Sequence, residues 1–311
     1  MSNPIHRDRH QELLNSLSHY EAAHGPLPGI ADHAWRETLV AQIISSLRRI
    51  EFIRSLHNKK IDGRRLDPAS PLFDPFQGSL LLSRKGEADE AIWLAFVGTH
   101  FGKHLIDGWK LPALVFGSFG KGPVWTAARY GADPKQFEDM LDAKGACLID
   151  PRQSGRFSNH RQYQSKKPVV IARVFRSFYD WQFENGGFDA RVRQIHQKLG
   201  QQPTQTFDAL YRSMKDVYGF GRLGIFDFLT MIGKLGLAPI EPGSVYLPGA
   251  TGPLSGAKLL FHGDRKFRAG AKTLGNHVDG LDPYLRVGKQ VLEDSLCNWQ
   301  KSPERYVYFK G

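Results

Sequence analysis

The chain has 311 residues, enough to bury a sizeable core as one large domain or two. Hydrophobic residues at 41% and aromatics at 12% describe an ordinary globular protein, and 42 Lys and Arg face 31 Asp and Glu, a balance that points to a polyanionic partner. Two cysteines, Cys147 and Cys297, exclude a disulfide framework and a cysteine-only zinc site. No apolar run reaches the ~18–20 residues that span a bilayer, and the polar start MSNPIHRDRHQE lacks an apolar signal core. The expectation is a cytoplasmic protein, nuclear if the source is eukaryotic, with no membrane partner.

In chain order, residues 11–24 predict a short helix that stops at Gly25-Pro26-Leu27-Pro28-Gly29. Asp32 can cap a long helix over 34–57, with Trp35, Leu39, Ile43, Leu47, Ile50 and Ile53 on one apolar stripe. Pro68, Pro71 and Pro75 predict a loop over 67–78. Helix resumes over 87–104, where His100 and His104 lie four apart on one predicted face; no third ligand accompanies them, so no metal is assigned. The glycine-rich 117–122 lacks the spacing of a phosphate-cradling loop, and helices follow at 123–130 and 134–144. Residues 155–167, GRFSNHRQYQSKK, are dense in side-chain donors, which fits either a disordered linker or a segment with a partner.

Further on, 169–184 holds helical spacing through Val170, Val174, Phe178 and Trp181, with Arg176 inside the aromatic run and read as a buried guanidinium in need of an anion. Helices also fit 188–199, 207–217, 218–235 and 282–299. No segment alternates with period two, so the expected fold is all-α, or nearly so. A change of composition near 145–167 divides it into an N-terminal helical region, 1–150, and a second helical region, 151–311.

LPGATGPLSGAKLLF at 247–261 combines a tight turn at Gly249 with a helix whose first turn holds Pro253. Free backbone N–H groups at such a point favour phosphate. The stretch resembles the hairpin of helix-hairpin-helix DNA-binding proteins, with one extra residue between Gly249 and Gly252. The HVDGLD that follows, with Val278 and Asp279, resembles the sequence after the hairpin in the DNA glycosylases of that fold.

Three more stretches, RVFRSF at 173–178, YGFGRLGIFDFL at 218–229 and VLEDSLCNWQK at 291–301, resemble the α-glutamyl/putrescinyl-thymine pyrophosphorylases. EAIWLAFVGTHFGKH and GRFSNHRQYQS resemble the third clade of that family. Asn298 departs from the last motif, where a glutamate is common. The resemblance implies a helix-hairpin-helix DNA glycosylase-like fold and an enzyme that replaces pyrophosphate on a 5-hydroxymethyluracil base in DNA by an amine. It needs no cofactor. DNA, with the target base flipped from the stack, and a small amine are its expected partners; oligomeric state stays open.

On that resemblance Gly249, Gly252 and Lys258 would contact DNA phosphates. Arg173, Arg176 and Arg222 would hold the leaving pyrophosphate, because planar guanidinium grips phosphate bidentately. Phe175, Phe178, Tyr218, Phe220 and Phe226 are candidates to stack the base, although core packing is the plainer role for several. Asp279 or Glu293 would take the proton of the amine; a turn and a solvated helix face are their plain alternatives. A glycosylase or lyase, and a non-catalytic DNA-binding module, remain the competing classes.

Overall fold

A computed structural model describes residues 4–308, with side chains from residue 8 onward. Among the described residues regular structure is helical, and the only strand-like pairing is an isolated bridge between His104 and Gly108. The protein is all-α, as the helical spacing of its apolar residues predicts. Its contacts define two units, one running up to Ile53 and resuming at Pro242, the other Arg54–Glu241. The compositional break at 150/151 falls inside the second unit.

In the first unit, Asp32 caps the helix His33–Ser55, accepting from the N–H groups of Ala34 at 2.7 Å and Trp35 at 3.3 Å. Leu39, Val40 and Ile43 of that helix meet Leu17 and, from the C-terminal segment, Leu260, Leu292, Leu296 and Trp299 in one core. Helix Gly252–His262 crosses helix Lys289–Trp299 backbone to backbone. A Cβ on Gly256 would lie 2.3 Å from the Leu296 carbonyl oxygen, and one on Gly252 would lie 2.6 Å from Cys297 Sγ. Those two glycines, four apart on one face, are what let the helices touch.

The second unit is organised around helix Ala88–Phe101, whose residues from Ala91 onward are all buried. A helix apolar all round belongs in a core. Trp93 and Phe96 meet Phe175 and Phe178 of helix Pro168–Phe183, with the Phe96 and Phe178 rings stacked at 3.8 Å. This unit carries most of the protein's charge excess: 27 Lys and Arg against 19 Asp and Glu in Arg54–Glu241.

Several elements differ from the sequence reading. Pro75 starts a helix, Pro75–Arg84, instead of ending a loop; at the first helical position its missing N–H costs nothing, and Asp74 caps the turn. Helix Ala88–Phe101 stops at Gly102, φ +68°, so His104 lies beyond it and shares no helical face with His100. The 218–235 helix begins only at Arg222, because Gly219 takes φ +74° and Gly221 is extended. The 282–299 helix is broken between Asp282–Leu285 and Lys289–Trp299: Asp282 Oδ1 accepts the N–H groups of Val287 and Gly288 and turns the chain there.

The donor-rich 155–167 is neither linker nor free surface in its key residues. Arg161 is buried, donating from Nε to the Thr99 carbonyl at 2.8 Å and pairing with Asp227 at 2.9 Å. Lys166 Nζ donates to Ser154 Oγ and to the Gly155 carbonyl. Its partner is the protein itself.

Candidate active site

Helix Pro168–Phe183 is amphipathic for a simple reason. Ile171, Val174, Phe175, Phe178 and Trp181 recur at intervals of three and four and are buried, so Arg173, Arg176 and Asp180 share the opposite, exposed face. Across from that face runs the turn 217–221. Tyr218 donates its N–H to Ser177 Oγ at 2.9 Å, and Gln164 Nε2 donates to the Gly219 carbonyl at 2.6 Å. A Cβ on Gly219 would stand 3.1 Å from Val174 Cγ2, at a φ that L side chains rarely adopt.

Between helix and turn lies a cleft of about 590 Å³ lined by Arg173, Arg176, Ser177, Asp180 and residues 215–221. Its cations are Arg173, Arg176 and Lys215. The Arg173 guanidinium lies 3.9 Å from the centre of the Tyr218 ring, a cation–π contact that fixes its plane. Arg176 reaches Asp180 only at 3.7 Å with both side chains more than half exposed, a contact worth little. Helix Arg222–Lys234 starts at the cleft's edge with Gly221 as its N-cap, so no side chain caps it and its positive end faces the lining turn.

An adjoining hollow of about 580 Å³ has the opposite character. Asp180, Glu184 and Asp216 line it with Tyr179, Trp181, Phe183 and Ser213; Ser177, Asp180 and Asp216 belong to both spaces. Basic cleft and acidic hollow therefore share a border made of two carboxylates and a hydroxyl. Sequence reasoning does not single out Ser177, Asp180, Lys215 and Asp216, since an isolated polar side chain on a helix or turn reads like any solvated one.

The structure thus brings together Arg173, Arg176, Tyr218 and Phe220. Arg176 is 53% exposed, which corrects its reading as a buried guanidinium. Phe175, Phe178 and Phe226 are core residues and offer no open face to a base. Phe220 shows only an edge to the cleft and packs behind against Phe96, Phe178 and Phe228. Arg222 sits over the Phe226 ring, at 4.7 Å.

The remaining candidates belong to the first unit. Gly249, φ +80°, forms an exposed turn closed by the Ala250 N–H on the Leu247 carbonyl at 2.8 Å. The preceding helix ends back at Lys234, and Gly252 is committed to packing on Cys297. Lys258 is half-buried on helix Gly252–His262. Glu293 is buried, not on a solvated face, and Asn298 is buried too, donating from Nδ2 to Asp294. Asp279 Oδ1 accepts the Val245 N–H at 3.0 Å, and burial raises its pKa above the usual carboxylate value. Lys289 stands 3.9 Å from that carboxylate and donates to the Asp279 carbonyl at 2.7 Å. Asp279→Ala is expected to cost about 1–3 kcal/mol by removing the buried carboxylate that accepts the Val245 N–H, read by denaturant unfolding.

Behind Phe220 lies His100, fully buried, with neither ring nitrogen hydrogen-bonded. Burial, helped by the Arg161 charge, lowers its pKa to about 3. The unfolded chain takes up this proton near pH 6.5, so stability falls as the pH drops from there toward 3. Between pH 7.5 and 5 the loss from this residue is about 2 kcal/mol. His100→Phe is expected to flatten the stability profile over that range by this amount.

Taken together, these features describe an all-helical protein with a cleft lined by three cations beside an acidic hollow. Among the described residues no helix is long and apolar enough to cross a membrane. The chain matches the family described as alpha-glutamyl/putrescinyl thymine pyrophosphorylase clade 3 over residues 34–311, and it belongs to that family. No curated protein and no solved structure matches it. Membership gives it a role of the pyrophosphorylase type in DNA modification.

Proposed function

We propose that the chain transfers an amine to a thymine-derived base in DNA that carries a diphosphate on its 5-hydroxymethyl group. The observation that carries this reading is the border between the Arg173–Arg176–Lys215 cleft and the Asp180–Glu184–Asp216 hollow. The diphosphate enters the basic cleft, where Arg173 and Arg176 bind its oxygens and strengthen their hold as charge develops on the leaving group. Tyr218, 36% exposed, offers its ring to the flipped base.

The amine arrives as a cation and is drawn to the acidic hollow. It must be neutral to attack. Asp216, on the border, takes the proton; the nitrogen bonds to the exocyclic methylene carbon, the carbon–oxygen bond breaks, and pyrophosphate leaves with its electron pair. Incubation with DNA bearing the diphosphorylated base and a polyamine tests the scheme. Pyrophosphate and amine-linked base should form one for one. Free base in their place would make the protein a glycosylase, and no reaction with retained DNA binding would make it a binding module.

A further inference from the structure

Immediately after the central helix of the second unit, the chain forms a small rigid projection. His104 and Gly108 exchange both backbone hydrogen bonds, at 3.0 and 2.9 Å, closing a hairpin with Leu105, Ile106 and Asp107 at its tip. His104 Nδ1 accepts the N–H groups of Ile106 and Asp107 from inside the turn. Asp107 is clamped by Arg156 through two hydrogen bonds, 2.8 and 3.0 Å, and the guanidinium holds that carboxyl below its usual range. The Ile106 and Asp107 N–H groups and the Asp107 carboxylate are thus tied down.

The two aliphatic side chains are not. Leu105 is 61% exposed and Ile106 78%, although the structure around them is fixed. Around the projection stand Lys103, over the Trp109 ring, and Lys110, whose Nζ donates to the Arg152 carbonyl. Among the described residues Lys103, Lys110 and Arg152 form no ion pair, although Lys110 lies near enough to Asp150 to help lower its pKa. A stiff apolar point among cations suits a partner with a negative exterior and an apolar interior that can be parted, and stacked DNA is that partner.

We infer that Leu105 and Ile106 form a wedge that enters the base stack of duplex DNA while the flanking cations hold its phosphates. This rests on the reading of the protein as an enzyme that acts on a base in DNA. The wedge and the cleft belong to one unit and are joined by one segment: Arg156 clamps the projection, and Gln164, eight residues on, holds the cleft turn at Gly219. Eight residues reach less than about 30 Å even when extended, which bounds the separation of the Arg156 and Gln164 backbones. Filling the gap keeps the target base from falling back.

The test uses duplex DNA with 2-aminopurine beside a thymine, whose fluorescence rises when the stack opens. The full-length protein should raise it. Leu105→Ser with Ile106→Ser should leave it at the level of free duplex, with affinity within about threefold, because phosphate contacts dominate affinity. Ile106→Met in the otherwise native chain should retain the response, since the wedge needs apolar volume and not one shape. A thermal melt checks folding, which two exposed residues leave intact.

On the diphosphorylated substrate the double variant should lose about tenfold or more in turnover on duplex and keep its turnover on single strands, where nothing has to be unstacked. No fluorescence response from the native protein, or an equal response from the double variant, overturns the wedge. Equal losses on duplex and single strand overturn it as well. If the reaction fails altogether while the native protein raises fluorescence and the variant does not, the wedge stands and the transferase reading falls.

Discussion

Arg176→Ala is expected to slow pyrophosphate release by about 10²–10³-fold at every pH, the usual consequence of removing a donor aimed at developing negative charge. Its contact with Asp180, 3.7 Å between two exposed side chains, is too weak to hold it against a diphosphate. Lysine at this position should restore only part of the rate, since an ammonium is a point charge without the planar fork. Single-turnover kinetics on DNA bearing the diphosphorylated base make the comparison, with DNA affinity measured alongside. A loss confined to affinity would move Arg176 out of the chemistry and into DNA binding.

Asp216→Asn should behave differently. General-base assistance contributes about 10²–10⁴ in rate, so turnover near neutral pH should fall by that order. The deficit should shrink as the pH rises, because the free amine becomes available without help. Asp216 lines both spaces and is exposed, so the substitution leaves the fold alone and the pH–rate profile reports chemistry. A loss by the same factor at all pH values would remove Asp216 from the role of base.

What the sequence disclosed depended on how local the cause was. The Asp32 cap and the apolar stripe after it act within a few residues, and the helix they specify is present. The same holds for Pro168–Phe183, where the spacing of Val174, Phe178 and Trp181 sets the buried face. That spacing also fixes the opposite side, but in linear sequence Arg176 sits among aromatic neighbours, and only its angle around the helix shows that it faces out. Where the cause is a distant contact, the pattern is silent. Gly252 looks like a hairpin glycine that faces phosphate until helix Lys289–Trp299 is seen against it. Residues 155–167 look unemployed until Thr99, Asp227 and Gly219 are found accepting their hydrogen bonds. The joining of the two ends of the chain into one unit, up to Ile53 and from Pro242, leaves no mark on composition at all.

The cleft is legible in the same uneven way. Arg173, Tyr218 and Phe220 stand out in the sequence through the resemblance of their motifs. The acidic side of the border was not, because Asp180 and Asp216 acquire meaning only when the helix and the 215–221 turn face each other. Asp279 and Glu293, favoured in sequence as bases, belong to the other unit, where one braces a loop and the other is buried.

The claim at the centre of this account is that the Arg173–Arg176 cleft holds a diphosphate. Calorimetric titration of the protein with inorganic pyrophosphate, and with orthophosphate for comparison, tests it without DNA or amine. The native protein should bind pyrophosphate saturably and in preference to orthophosphate, and Arg173→Ala combined with Arg176→Ala should weaken that binding by about tenfold or more. Equal affinity for pyrophosphate in the native protein and the double variant would contradict the assignment of the cleft.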